Sequence, residues 1–183
     1  MQKFERNKFE ELILLIAREC EDHNFFGATK LNKILFFCDF AAFAELGNSI
    51  TGAEYVALEH GPVPRLLVQI RNDMLKGGVI AVQRRGNQER ITAKRNPKAE
   101  LFSPAEHHII QDVIRNLEIE NADSVSELSH KFLGWQAAWA EYQETGKSST
   151  IPYESIFVKN RRPTEAEIAE VASEAKSHGW SII

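Results

Sequence analysis

Apolar residues recur at intervals of three and four along most of this chain, the period of a helix that buries one face. Over residues 8–20, Phe9, Leu12, Ile13, Ile16, Ala17 and Cys20 form one stripe, with Glu10, Glu11, Arg18 and Glu19 on the outer face. A second helix is expected from Thr29, an N-cap type of residue, to Gly47, a C′ type. Leu31, Ile34, Leu35, Cys38, Ala42 and Leu46 make one stripe of it, and Phe36, Phe37, Phe40 and Phe43 cover most of the rest. A helix apolar nearly all round is central. Its polar exceptions, Lys30, Asn32, Lys33 and Asp39, then need partners or an opening to solvent.

The period changes after Gly47. Tyr55-Val56-Ala57-Leu58 reads as a short strand, and Gly61-Pro62-Val63-Pro64 as a turn or a strand-to-helix corner. Pro64 suits the first turn of a third helix carrying Leu67, Ile70 and Met74 and ending at Gly77-Gly78. Val79–Val82 and Arg90–Ala93 flank the turn pair Gly86-Asn87 and predict a hairpin. Helix, glycine pair and basic hairpin follow the order of a winged helix ending in its wing. Ser103-Pro104-Ala105-Glu106 combines a capping box with proline at the first helical position. Asp123 or Ser124 is expected to cap a further helix carrying Val125, Leu128, Phe132, Trp135, Trp139 and Tyr142. Thr164-Glu165-Ala166-Glu167 opens a last, acidic helix to about Ser177. The expectation is a mainly α (α+β) fold: a compact helical domain over 1–158 with one small antiparallel sheet, and a helical extension over 159–183 packed on it.

Composition narrows the class. The 183 residues, 43% hydrophobic and 26% charged, suit one domain that buries its own core. Cys20 and Cys38 both sit on apolar helical faces, as buried thiols in a reducing compartment do. No signal-type leader or membrane-length apolar run occurs, so a cytoplasmic protein is expected. Charge is uneven: residues 76–98 carry seven basic residues and one acid, a net +6, which leaves −10 on the rest of a chain whose total is −4. That segment reads either as a solvated hairpin or as a docking patch for an acidic partner or a phosphate backbone.

Catalytic and metal signatures are absent. The six histidines show no i, i+4 pair on one helix face, and no CxxC, Walker loop, GxGxxG or Gly-x-Ser-x-Gly occurs. No enzyme, cofactor or metal is expected, unless distant residues such as Asp39 and His130 assemble a site. Asp39 is expensive to bury unpaired, so it is expected to meet Lys33, Arg65 or a backbone amide, or else to serve as a charged spot in a partner groove. Trp135 and Trp139, one turn apart, form an aromatic ridge suited to the core or to an interface.

Four separated pieces carry a resemblance. They are Lys30-Leu31-x-Lys33-Ile34-Leu35-Phe36-Phe37, Gly61-Pro62-Val63, Ser126-Glu127-Leu128-Ser129-His130 followed by Trp135 and Trp139, and Ile151-Pro152-Tyr153. In order and spacing they resemble the SocA-like antitoxin family, also called the Panacea domain. Where that family usually has an aromatic before Gly-Pro, this chain has His60. The resemblance implies a largely helical domain with a small hairpin. It implies an antitoxin that neutralises a cognate toxin without catalysis; one branch delivers its toxin to a Clp-type protease. Lys30, Lys33, Asp39, His60, Pro62 and Arg65 are the candidate contact residues, expected to gather around one corner. A second reading is DNA binding through helix 64–76 and hairpin 79–93.

Overall fold

The computed structural model describes residues 2–86 and 88–158, and beyond them three isolated helical positions, Ala166, Ala169 and Ser173. The extension expected over 159–183, including the helix 164–177, therefore lies almost wholly outside the described residues.

The first helix, α1 (Arg6–Glu19), is more buried than a one-faced stripe predicts. Leu12 to Ala17 is an unbroken apolar run, and all six side chains are buried. Glu11, assigned to the outer face from sequence, is also buried. Both Arg95 terminal nitrogens reach its carboxylate, at 2.6 and 2.9 Å, and the Lys98 N–H adds a third bond at 2.8 Å. Those three donors replace water, so the charge is tolerated inside.

The second helix, α2 (Ala28–Leu46), is the central element. Gly27, not Thr29, occupies its N-cap, and Gly47 ends it in the left-handed conformation at φ 76° with its N–H on Phe43 O. Phe36 and Phe40 on α2 pack with Tyr55 and Phe132 at ring-centroid distances of 4.3–5.7 Å, mostly edge to face.

The next two strands, β1 (Tyr55–Leu58) and β2 (Gly61–Pro64), pair antiparallel. The expected Gly-Pro corner is thus a strand, and Pro64 belongs to it rather than to a helix. The register explains how two prolines fit. Arg65 N–H donates to Glu54 O, which makes that pair, and by alternation Val56–Val63, the hydrogen-bonded ones. Pro62 and Pro64 fall on the intervening positions, where a backbone N–H would point away from β1 and its loss costs no ladder bond.

A short helix, α3 (Leu67–Lys76), leads to a second hairpin, β3 (Ile80–Arg85) with β4 (Gln88–Ala93). Sequence anticipated one small sheet; two two-stranded sheets are present among the described residues. Three more helices follow: α4 (Pro104–Leu117), α5 (Ala122–His130) and α6 (Leu133–Thr145). The Ser103–Glu106 capping box on α4 is present as expected. Asn121, not Asp123 or Ser124, caps α5 by accepting from both of their N–H groups. The single helix expected after residue 122 is broken at Lys131–Phe132, where Phe132 turns inward onto Phe36 and Phe40. The described chain closes with a 3₁₀ turn at Tyr153–Phe157, entered through Ile151, whose N–H donates to Tyr55 O. The architecture is mainly α with two small hairpins. Cys20 and Cys38 are buried free thiols. No helix among the described residues is long and apolar enough to cross a membrane.

Candidate functional site

The three charged side chains buried on α2 are each satisfied differently. Lys30 Nζ donates to Glu118 O and Glu120 O, both at 2.8 Å, and so ties α2 to the α4–α5 connection. Asp39 accepts from the Thr51 N–H at 2.8 Å, Thr51 Oγ1 at 2.6 Å and Tyr55 Oη at 2.7 Å. Burial outweighs those bonds and pushes its carboxyl up to about 6. The expected ion-pair partners, Lys33 and Arg65, make no bond to it; a backbone amide and two hydroxyls do.

Lys33 is the third. Its Nζ donates to Pro62 O at 3.3 Å, and among the described residues no carboxylate pairs with it. Burial alone lowers its ammonium to about 8. The reason for a lysine here follows from the two prolines. Pro62 occupies a position whose carbonyl faces away from β1, against α2, so that carbonyl needs a donor from outside the hairpin. Lys33 supplies it.

Gly61 lies between these groups at φ 102°. A Cβ on it would stand 2.5 Å from Ser129 Oγ and 2.6 Å from Lys33 Nζ, so any side chain here would be strained by the φ and would have to displace both groups. Three separated sequence motifs thus meet at one buried point: Lys33, Gly61 and Ser129. The next residue, His130, stacks on Trp135 with centroids 4.0 Å apart and planes 18° apart. Burial first, then the Lys33 charge, lowers its imidazole. Trp135 in turn donates Nε1–H to Leu58 O at 3.2 Å. The stack continues through Trp139 and Tyr142 at 5.9 and 5.3 Å, with interplanar angles of 12° and 20°. It runs from buried Trp135 through half-buried Trp139 to exposed Tyr142. Beside its inner end, the hairpin tip presents Leu58, Glu59 and His60 to solvent.

The six candidate contact residues do not gather at one corner. Lys30, Lys33, Asp39 and Pro62 are buried, and only His60 and Arg65 are exposed. His60 is at the hairpin tip and Arg65 at its base, about 15 Å apart at strand rise. Arg65 pairs with Glu54 at 3.0 Å and donates to Thr150 Oγ1 at 3.3 Å. Burial at Asp39, Lys30 and Lys33 corrects the expectation of direct contact: these side chains hold the surface in place and do not reach it. Ser129 was not among the candidate contact residues; its hydroxyl donates to Ser126 O at 2.7 Å while it stands against Gly61, a proximity between distant segments that no local signal carries.

The basic segment is also altered. Arg90 donates to the carbonyls of His23 and Phe26, and Arg95 is engaged by Glu11, so two of the seven cations are held internally. On α3, the proposed recognition helix, Asp73 pairs with Arg6 at 2.6 Å and Arg71 is half-buried. That leaves a thin set of phosphate contacts.

No curated protein matches the chain. No solved structure matches it either. The family model described as antitoxin SocA-like, Panacea domain matches residues 31–136, more than half of the 183. The matched stretch begins in α2, takes in Lys33, the β1–β2 hairpin and Ser129–His130, and stops inside α6, short of Trp139 and Tyr142. On that match, the chain belongs to the antitoxin SocA-like, Panacea-domain family.

Proposed function

We infer that this protein is an antitoxin that binds and neutralises a toxin protein by direct contact, without catalysis. One observation carries the reading beyond family membership. The Trp135–Trp139–Tyr142 stack starts at Trp135 beside the exposed tip Leu58-Glu59-His60 and runs out to solvent at Tyr142, and the tip is backed by Lys33, Gly61 and Ser129. Tryptophan and tyrosine on a rigid support are the side chains that anchor protein interfaces at low entropic cost.

The test is co-expression. The reading frame beside this protein's gene is expressed alone and then with it. Growth arrest alone and recovery together support the antitoxin function and supply the partner. Recovery that survives Trp139→Ala/Tyr142→Ala combined with His60→Glu would refute the surface while leaving the function. Pulse-chase of that partner, with and without a Clp-type protease, separates neutralisation by contact from delivery to proteolysis.

A further inference from the structure

The five remaining cations of the basic segment, Lys76, Arg84, Arg85, Lys94 and Lys98, are all exposed. The two that are not, Arg90 and Arg95, clamp β4 and its continuation onto the helical body through His23, Phe26 and Glu11. β4 is therefore the inner strand, packed on α1 and α2, and β3 is the outer one. From Val82 to Arg85 every β3 residue is exposed.

The register decides which backbone groups of β3 are open. Lys94 N–H donates to Val79 O, so Val79–Lys94 is a hydrogen-bonded pair. Alternation makes Ala81–Thr92, Gln83–Arg90 and Arg85–Gln88 the next such pairs. The N–H and C=O groups of Ile80, Val82 and Arg84 then face away from β4. Among the described residues, nothing outside the hairpin bonds to the backbone of Val82 or Arg84. An edge with open ladder groups is a template for a further strand.

We propose that the β3 edge binds an extended acidic segment of a partner protein as a third strand. Main-chain bonds to Val82 and Arg84 hold the segment. Arg84 and Arg85, on opposite faces of β3, meet carboxylates on either side of it. Charge selects the occupant: Arg84 and Arg85 have only Glu89 as a nearby acid in the hairpin, whereas the rest of the chain carries −10. A second copy of the same edge would set these arginines against their own counterparts, and like charges disfavour it. A nucleic acid would use the cations but leave the open ladder unused. The proposal is independent of the tip surface and of what the partner is.

The test uses the full chain, ¹⁵N-labelled, with two blocked hexapeptide probes, Val-Glu-Glu-Val-Glu-Glu and Val-Lys-Lys-Val-Lys-Lys, whose charges fall on both faces of an extended strand. With the acidic probe, amide exchange at Val82 and Arg84 should slow at least tenfold at saturation, because those N–H groups gain acceptors. Gln83, already bonded to Arg90, should change little, and the lysine probe should not bind. Val82→Pro removes an N–H that β4 does not use, so the hairpin should persist while binding falls at least tenfold. Arg84→Glu/Arg85→Glu should invert the preference between the two probes. Unchanged exchange at millimolar acidic probe would overturn the proposal, as would binding indifferent to Val82→Pro. So would a free protein that dimerises through this edge, or a DNA duplex that needs both arginines but not the Val82 amide.

Discussion

Lys33 donates its buried ammonium to the carbonyl of Pro62, 3.3 Å away, across from α2 to β2. The bond joins two motifs 29 residues apart. It has one physical origin: prolines at the non-bonded positions of a strand leave an outward carbonyl that the helix beneath must satisfy. The ammonium has no counter-charge there, so its proton is held less tightly than in water.

That loss of affinity fixes a pH dependence. Lys33 is lowered to about 8 in the folded protein from 10.5, so between those values the unfolded chain binds the extra proton and stability rises with pH. The gain is about 3 kcal/mol over the window. Urea unfolding at pH 8 and 10.5 should show it in the wild-type protein and lack it in Lys33→Met. Equal slopes in the two proteins would remove the argument.

Asp39 should act in the opposite sense to an ordinary salt-bridged acid. Its carboxyl is raised to about 6 from 3.8, so the folded state binds the extra proton between those values. Stability contributed below pH 3.8 is lost as pH rises through 6, by about 3 kcal/mol. Asp39→Asn keeps an acceptor for the Thr51 N–H and should flatten this part of the profile in denaturation curves taken from pH 4 to 7.

Gly61→Ala should be among the costliest single-methyl additions. It forces a side chain into φ 102° and into contact with Lys33 and Ser129. A loss of about 3 kcal/mol is expected, or roughly 10 °C in Tm. His60→Ala next to it removes an exposed side chain and should shift Tm by no more than about 2 °C. A tolerated Gly61→Ala in calorimetry would mean that Lys33 and Ser129 are free to withdraw.

Glu11→Ala removes the carboxylate that collects Arg95 and the Lys98 N–H. Arg95 keeps partial access to water, so the cost is expected at about 1–3 kcal/mol rather than that of a stranded buried charge. Burial alone would raise the Glu11 carboxyl, but the Arg95 and Lys98 bonds hold it below its ordinary value. This contribution is therefore lost on acidification below the usual carboxylate range, which a comparison of the two proteins at pH 3 and 6 would read.

Tyr142→Ala and Trp139→Ala should leave the helical circular dichroism unchanged and weaken capture of the toxin partner by about tenfold or more each, measured by pull-down titration. Val68→Ala on the exposed face of α3 serves as the control with no expected effect.

Much of the fold was legible because its signals are local. Gly47 stops α2, the Ser103–Glu106 box starts α4, and Tyr55–Leu58 and the 80–93 hairpin lie close to where their β-prone runs fall. Local signals misled where a distant partner changed the cost. Glu11 reads as a surface acid until Arg95 arrives from 84 residues away. Gly61–Pro64 reads as a corner because proline lacks the N–H of a ladder, and only the register shows that no ladder bond needs it. The break at Lys131 is set by Phe132 finding room between Phe36 and Phe40, which no periodicity predicts.

The sequence by itself determined the helical class, the central place of α2 and the family, since apolar period, caps and ordered short motifs are properties of neighbours along the chain. Only the tertiary structure decided what the motif residues do. Four of six candidate contact residues went inside: Lys30 and Lys33 satisfy buried backbone carbonyls, one of them that of Pro62, and Asp39 is satisfied in turn by Thr51 and Tyr55. It also decided which surfaces remain for a partner: the hairpin tip with its aromatic stack, and the open edge of β3.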